Sequence, residues 1–145
     1  MKKESQQLLF GVYAIAIVLL LSACNNQLDI QQHYPFTLSA MPVQKSIVIK
    51  ETAEIRMQII REGYFEETIY SIRYFQPDGK GVLKLSNGTT LTPNDLYELT
   101  EDSFRLYYTS FSEEQQKIDI YVEDSFGQIE QLSFSFNNKK VETDN

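Results

Sequence analysis

From residue 46 onward, apolar and polar side chains alternate with a period of two. In 53–61, Ile55, Met57 and Ile59 fall on one side, while Glu54, Arg56, Gln58 and Ile60 fall on the other. Such alternation is the mark of a strand with one buried face. The pattern returns in 67–76, with Tyr70, Ile72 and Tyr74 set against Ile69, Ser71, Arg73 and Phe75. It returns again where Phe104, Leu106 and Tyr108 alternate with Arg105, Tyr107 and Thr109. Ile118, Ile120 and Val122 form one more such row, and Leu132, Phe134 and Phe136 another. Shorter apolar runs at 46–50 and 82–85 read as further strands, and 33–38 as an extended edge.

Turn residues separate these runs. Glu62-Gly63, Pro77-Asp78-Gly79-Lys80-Gly81, Asn87-Gly88 and Asp124-Ser125-Phe126-Gly127 supply the glycines and short polar side chains that chain reversal needs. Thr92-Pro93-Asn94-Asp95 reads as a loop or one helical turn. No helical period lasts beyond about three turns. The chain therefore predicts an all-β fold, an antiparallel immunoglobulin-like or fibronectin-III-like sandwich of about seven strands. With no Cys…Trp…Cys core, an antibody-type domain is excluded.

The first 24 residues break this pattern. Lys2 and Lys3 precede an apolar run at 8–21, which ends in Leu21-Ser22-Ala23-Cys24. Fourteen residues are too few to span a bilayer comfortably but match the core of a signal peptide. Leu21, Ser22 and Ala23 resemble the bacterial lipobox recognised by its signal peptidase, and Cys24 is the expected lipid-attachment site. Two or three acyl chains on that thiol would give lasting anchorage. The competing reading is an uncleaved anchor helix with an incidental cysteine, and it places the domain on a membrane outside the cytoplasm as well. The expected organisation is a lipoprotein signal at 1–23, a flexible tether at 24–33, the sandwich at 34–138 and a disordered tail at 139–145. The residues after Cys24 form no acidic run, and Asn25 rather than Asp follows it, which points to the periplasmic face of a Gram-negative outer membrane.

Charge narrows the partners. The 145 residues carry a net −7, of which Lys2, Lys3 and Glu4 contribute +1, so the part from Cys24 onward carries −8. That argues against direct nucleic-acid binding and against a polybasic membrane contact. Catalysis has little material. His33 is the only histidine and Cys24 the only cysteine, which leaves no usual zinc site and no catalytic triad away from the tether. Carboxylates at Asp119, Glu123, Asp124, Glu113 and Glu114 read as a solvated strand end and loop rather than a glycosidase pair. Asp78 and Asp124 lack the spacing of a calcium loop. The expectation is no enzyme, no cofactor and no metal.

What remains is an unusual outward face. Arg73, Phe75, Arg105, Tyr107 and Tyr121 point outward if their alternating neighbours fill the core. These residue types are enriched at binding hot spots, though cross-strand pairing explains them too. Two functions follow: an interaction module docking an envelope protein, or a carbohydrate- or substrate-binding lipoprotein using an aromatic platform.

Several phrases occur together. They include Tyr34-Pro35-Phe36, Met41-Pro42-Val43, Glu54-Ile55-Arg56, Ile72-Arg73-Tyr74-Phe75-Gln76, Asp78-Gly79-Lys80-Gly81, Pro93-Asn94-Asp95, the run from Phe104 to Ser110, Ile118-Asp119-Ile120-Tyr121 and Phe126-Gly127-Gln128. In these the chain resembles the TraQ-type small lipoproteins of conjugative transposons, from about Tyr34 to Asn138. The resemblance implies an immunoglobulin-like sandwich and association with DNA-transfer machinery in the cell envelope. It carries over no catalytic residue and no partner.

Overall fold

The computed structural model describes residues 33–139, together with Lys3, Gln6 and Gln7, which are helical and exposed. The expected signal, most of the tether, the lipobox residues Leu21, Ser22 and Ala23, Cys24 and residues 140–145 lie outside the described residues. The chain divides into two compact units, Met1–Ile30 and Gln31–Asn145, and the second carries the fold.

Ten strands follow one another: β1 (Phe36–Ala40), β2 (Ser46–Ile47), β3 (Thr52–Arg61), β4 (Tyr70–Asp78), β5 (Gly81–Leu85), β6 (Thr90–Leu91), β7 (Tyr97–Leu99), β8 (Ser103–Ser110), β9 (Gln116–Asp124) and β10 (Ile129–Asn138). They form two five-stranded sheets, ordered β1-β3-β8-β5-β6 and β2-β10-β9-β4-β7. All pairings are antiparallel except β2 with β10. The set β1, β3, β8, β5 facing β4, β9, β10 reproduces the four-plus-three wiring of an immunoglobulin-like sandwich.

The alternation read from sequence sets the core. Ala53, Ile55, Met57 and Ile59 of β3 are buried, as are Tyr70, Ile72 and Tyr74 of β4. Phe104, Leu106 and Tyr108 of β8 and Ile118, Ile120 and Val122 of β9 meet them from both sheets. On β10 only Phe136 is fully buried, while Leu132 and Phe134 are partly covered at the margin. Each fully buried aliphatic side chain contributes roughly 1.5–3 kcal/mol of apolar transfer.

The structure adds short strands to the seven of the expected sandwich, making ten, and the additions have physical causes. β1 is the segment read as an extended edge. β6 and β7 have two and three residues, too few to display a period. The run at 46–50 forms a strand only over Ser46–Ile47. Ile49 then turns to solvent, Lys50 adopts a φ of 68°, and the Glu51 carboxylate accepts the Val48 N–H at 2.8 Å, curling the chain. That hydrogen bond, with one from Gln44, holds the Glu51 carboxyl below its ordinary pKa. The segment at 67–76 starts its strand later, at Tyr70, and runs through Pro77. A register break between Phe75 and Asp78 on the β4–β9 pair accommodates the proline. Pro93-Asn94 is a turn rather than a helical start, with Asn94 at a φ of 69°.

The turn after β4 moves the chain from one sheet to the other. Gly79 takes a φ of 74°, and a Cβ there would lie 2.4 Å from the Gln116 side chain. Beneath the turn, the buried Tyr108 hydroxyl donates to Gln116 Oε1 at 2.6 Å and accepts from Gln76 Nε2 at 2.7 Å. The Tyr108 ring stacks on Phe136 with centroids 5.3 Å apart.

Candidate functional site

The five residues singled out on the outward face all lie on strand positions that alternate with buried ones. They do not share a surface. Arg105 and Tyr107 belong to β8 in the first sheet; Arg73 and Phe75 on β4 and Tyr121 on β9 belong to the second. The two outer faces look in opposite directions, so a single platform built from all five is ruled out. Sequence alternation tells which side of a strand a residue occupies but not which sheet the strand joins.

On the second sheet, Arg73 stands opposite Tyr121, and Phe75 opposite Asp119. Phe75 and Tyr121 meet edge to face with centroids 5.6 Å apart. The Arg73 guanidinium reaches Glu123 at 2.9 Å and Asn94 at 3.4 Å, so its charge is already met within the fold. Asp119 is nearly buried, with Lys117 3.6 Å away and the Ser133 hydroxyl donating to it. This is cross-strand pairing in which the two rings cover each other. Phe75 remains partly exposed on this face, but the pair is set edge to face rather than as two coplanar rings.

The first sheet differs. Register places Arg56 of β3 directly opposite Arg105 of β8, and Glu54 opposite Tyr107. Both arginines turn to the same carboxylate: Arg105 reaches Glu54 at 2.8 Å and Arg56 reaches it at 3.2 Å. Hydrogen bonding from Arg56, then the charges of both arginines, holds the Glu54 carboxyl below its ordinary pKa. Two guanidiniums on one carboxylate leave a local positive surplus on a domain that is otherwise acidic. Like charges directly opposite one another cost stability in a sheet. The pair borders a shallow groove of about 410 Å³, lined also by Ser39, Met41, Gln58 and Ser103. Sequence reading selected Arg105 but missed Arg56 and Glu54, which become neighbours only through the β3–β8 register.

Among the described residues, no group of three or more His, Cys, Asp or Glu lies together as a metal site would require. Three of the five carboxylates weighed for hydrolysis, Asp119, Glu123 and Asp124, have structural uses. Glu123 pairs with Arg73, and Asp124 Oδ1 accepts the backbone N–H groups of Phe126 and Gln128, both at 2.9 Å, closing the β9–β10 turn.

Three solved structures share this architecture. A conjugative transposon lipoprotein from Bacteroides eggerthii is 47% identical, with a TM-score of 0.69, covering 73% of this chain and 100% of that one. A lipoprotein from Bacteroides thetaiotaomicron is 60% identical, with a TM-score of 0.68, over 81% of this chain and 91% of its own. A conjugate transposon protein from Bacteroides vulgatus is 54% identical, with a TM-score of 0.66, over 83% and 97%. Comparison with curated proteins finds no match. Residues 7–139 match the family described as TraQ conjugal transfer protein, and the chain belongs to that family.

Proposed function

We propose that the chain is a non-enzymatic, lipid-anchored accessory component of conjugative-transposon DNA transfer, carried by Cys24 on the periplasmic face of the outer membrane. One observation carries this reading. The Leu21-Ser22-Ala23-Cys24 motif precedes a sandwich that is 47% and 60% identical to proteins described as lipoproteins, the first of them from a conjugative transposon. The domain acts by docking an envelope protein through the outer face of the first sheet. Arg56 and Arg105, sharing Glu54, suit an acidic segment, because guanidinium groups take carboxylates in a bidentate grip.

The test combines complementation and co-purification. Deleting the gene lowers transfer frequency, and the wild-type chain restores it. The double change Arg56→Glu and Arg105→Glu alters exposed side chains, so the domain stays folded. Transfer nevertheless falls roughly tenfold or more, as expected when complementary charges at an interface become repulsive. The same change removes transfer-system proteins from pull-downs of envelope extracts. Unchanged transfer after deletion, with no transfer protein recovered by the wild-type domain, overturns the reading.

A further inference from the structure

Ten large apolar side chains stand exposed on the described residues, and five of them lie toward one end of the sandwich, Tyr64, Ile69 and Phe126 on its loops and Ile60 and Ile129 on the outer faces of the two sheets beside them. Tyr64 is 71% exposed, Ile129 55%, Ile69 50%, Ile60 48% and Phe126 43%. The other five scatter over sheet edges, a sheet face and the opposite end.

The gathering follows from topology. The β3–β4 loop, the β9–β10 turn and the segment leading into β1 all close at this end. Ser125 and Ile69 bond through their backbones at 2.9 Å, and the Ser125 hydroxyl also accepts the Ile69 N–H at 3.2 Å. Phe126 lies 5.6 Å from the His33 ring and 6.1 Å from Phe65. The Arg61 guanidinium sits over Tyr64 at 5.3 Å and over the buried Tyr70 at 4.5 Å. The result is a firm apolar tip.

This tip is also where the chain arrives from Cys24. His33 lies against Phe126, and its Cα is nine residue steps from that of Cys24. Fully extended, nine residues span at most about 30 Å. A bilayer holding the Cys24 lipid therefore stays within reach of this end. Tethering raises the effective concentration of that surface, so a weak apolar contact is enough to close. Charge selects the kind of surface. The exposed Glu62, Glu66, Glu67 and Glu101 surround the tip, against Arg61 and His33. An anionic surface is repelled, whereas an electroneutral headgroup layer is not.

We propose that this end of the domain rests on the electroneutral headgroup region of the bilayer that carries the Cys24 lipid, with Tyr64 and Phe126 reaching the headgroup–acyl boundary. Tyrosine suits that depth because its ring is apolar and its hydroxyl stays wet. The inference rests on the lipid anchoring proposed above.

The chain has no tryptophan, so single probes are clean. Tyr64→Trp, Phe126→Trp and, at the opposite end, Phe111→Trp are each purified from membranes as the full lipoprotein. Each is reconstituted into vesicles of brominated phosphatidylcholine. Flotation with the vesicles reports anchoring, and quenching reports contact. The proposal expects blue-shifted emission and at least about twofold stronger quenching for Tyr64→Trp and Phe126→Trp than for Phe111→Trp, as for residues at the headgroup–acyl boundary. Adding phosphatidylglycerol weakens that quenching. If the protein floats but all three probes are equally wet, the contact is wrong, anchoring stands, and the tip belongs to a protein partner. If the protein does not float, anchoring is wrong and the contact falls with it.

Discussion

At the scale of single residues, Tyr108 carries the most chemistry per atom. It is the largest fully buried side chain, and its hydroxyl joins Gln76 to Gln116. Burial pushes its phenol from 10.0 up to about 12, although the hydrogen bond from Gln76 opposes the shift. The folded state therefore holds this proton more tightly than the unfolded chain does. Its contribution is intact below pH 10, declines as the unfolded chain ionises, and is gone once pH passes about 12. The loss across that window is about 3 kcal/mol. Tyr70 and Tyr74 are raised by burial as well and add to the same limb. Tyr108→Phe should cost about 1–3 kcal/mol at neutral pH, because the buried Gln116 amide and the half-buried Gln76 amide each lose a partner. It should also flatten the alkaline decline relative to wild type, measured by denaturant unfolding at stepped pH. An equally steep decline in the variant would remove Tyr108 as the cause. The alternation Phe104, Leu106, Tyr108 announced a core-facing tyrosine. It was silent about the knot, which joins residues 32 and 8 positions apart and brings together both sheets.

Among the elements, the long strands were legible and the short ones were not. β3, β8 and β9 bury one face along their length and β4 does so from Tyr70 to Tyr74, so their alternation shows undiluted in the sequence. β2 was read from its apolar run but shrinks to Ser46–Ile47, while β6 and β7, two and three residues long, are too short for a side-chain period to record. The site follows the same rule. Arg105 stood out by residue type, while Arg56 and Glu54 acquired meaning only from pairing. The glycine turns were legible for a firmer reason, since Gly79 and Gly88 both take positive φ values, 74° and 88°. They differ in surroundings, and that makes a test. A Cβ on Gly79 meets Gln116 at 2.4 Å, whereas one on Gly88 meets nothing within 4 Å. Gly79→Ala should destabilise by about 1–3 kcal/mol from backbone strain alone, and more from the contact. Gly88→Ala should cost only the strain. Comparing urea midpoints separates the two, and equal shifts would mean that the crossover relaxes freely.

For the whole molecule, the lipid attachment proposed at Cys24 separates address from the folded domain, and the two can be tested apart. The matching prediction is Cys24→Ala. The variant should keep the melting temperature of the parent's mature domain, since residues 33–139 form the sandwich without it. It should be released from the envelope or remain unprocessed in cell fractionation. A variant that still fractionates as a lipid-modified membrane protein would disprove the assignment. The net −8 from Cys24 onward keeps such a freed domain soluble.

The parallel pairing of β2 with β10 has a mechanical consequence. Asn137 and Asn138 lie beside Ser46 and Ile47, and the Lys139 N–H bonds to the Ile47 carbonyl at 3.1 Å, at the end of the sandwich away from His33. Traction between His33 and Lys139 therefore runs along the strands rather than across them. The backbone ladders are then loaded in shear, with many bonds sharing the force, instead of being unzipped one at a time. Force applied between the two ends of the sandwich is thus met along the direction in which its ladders resist most.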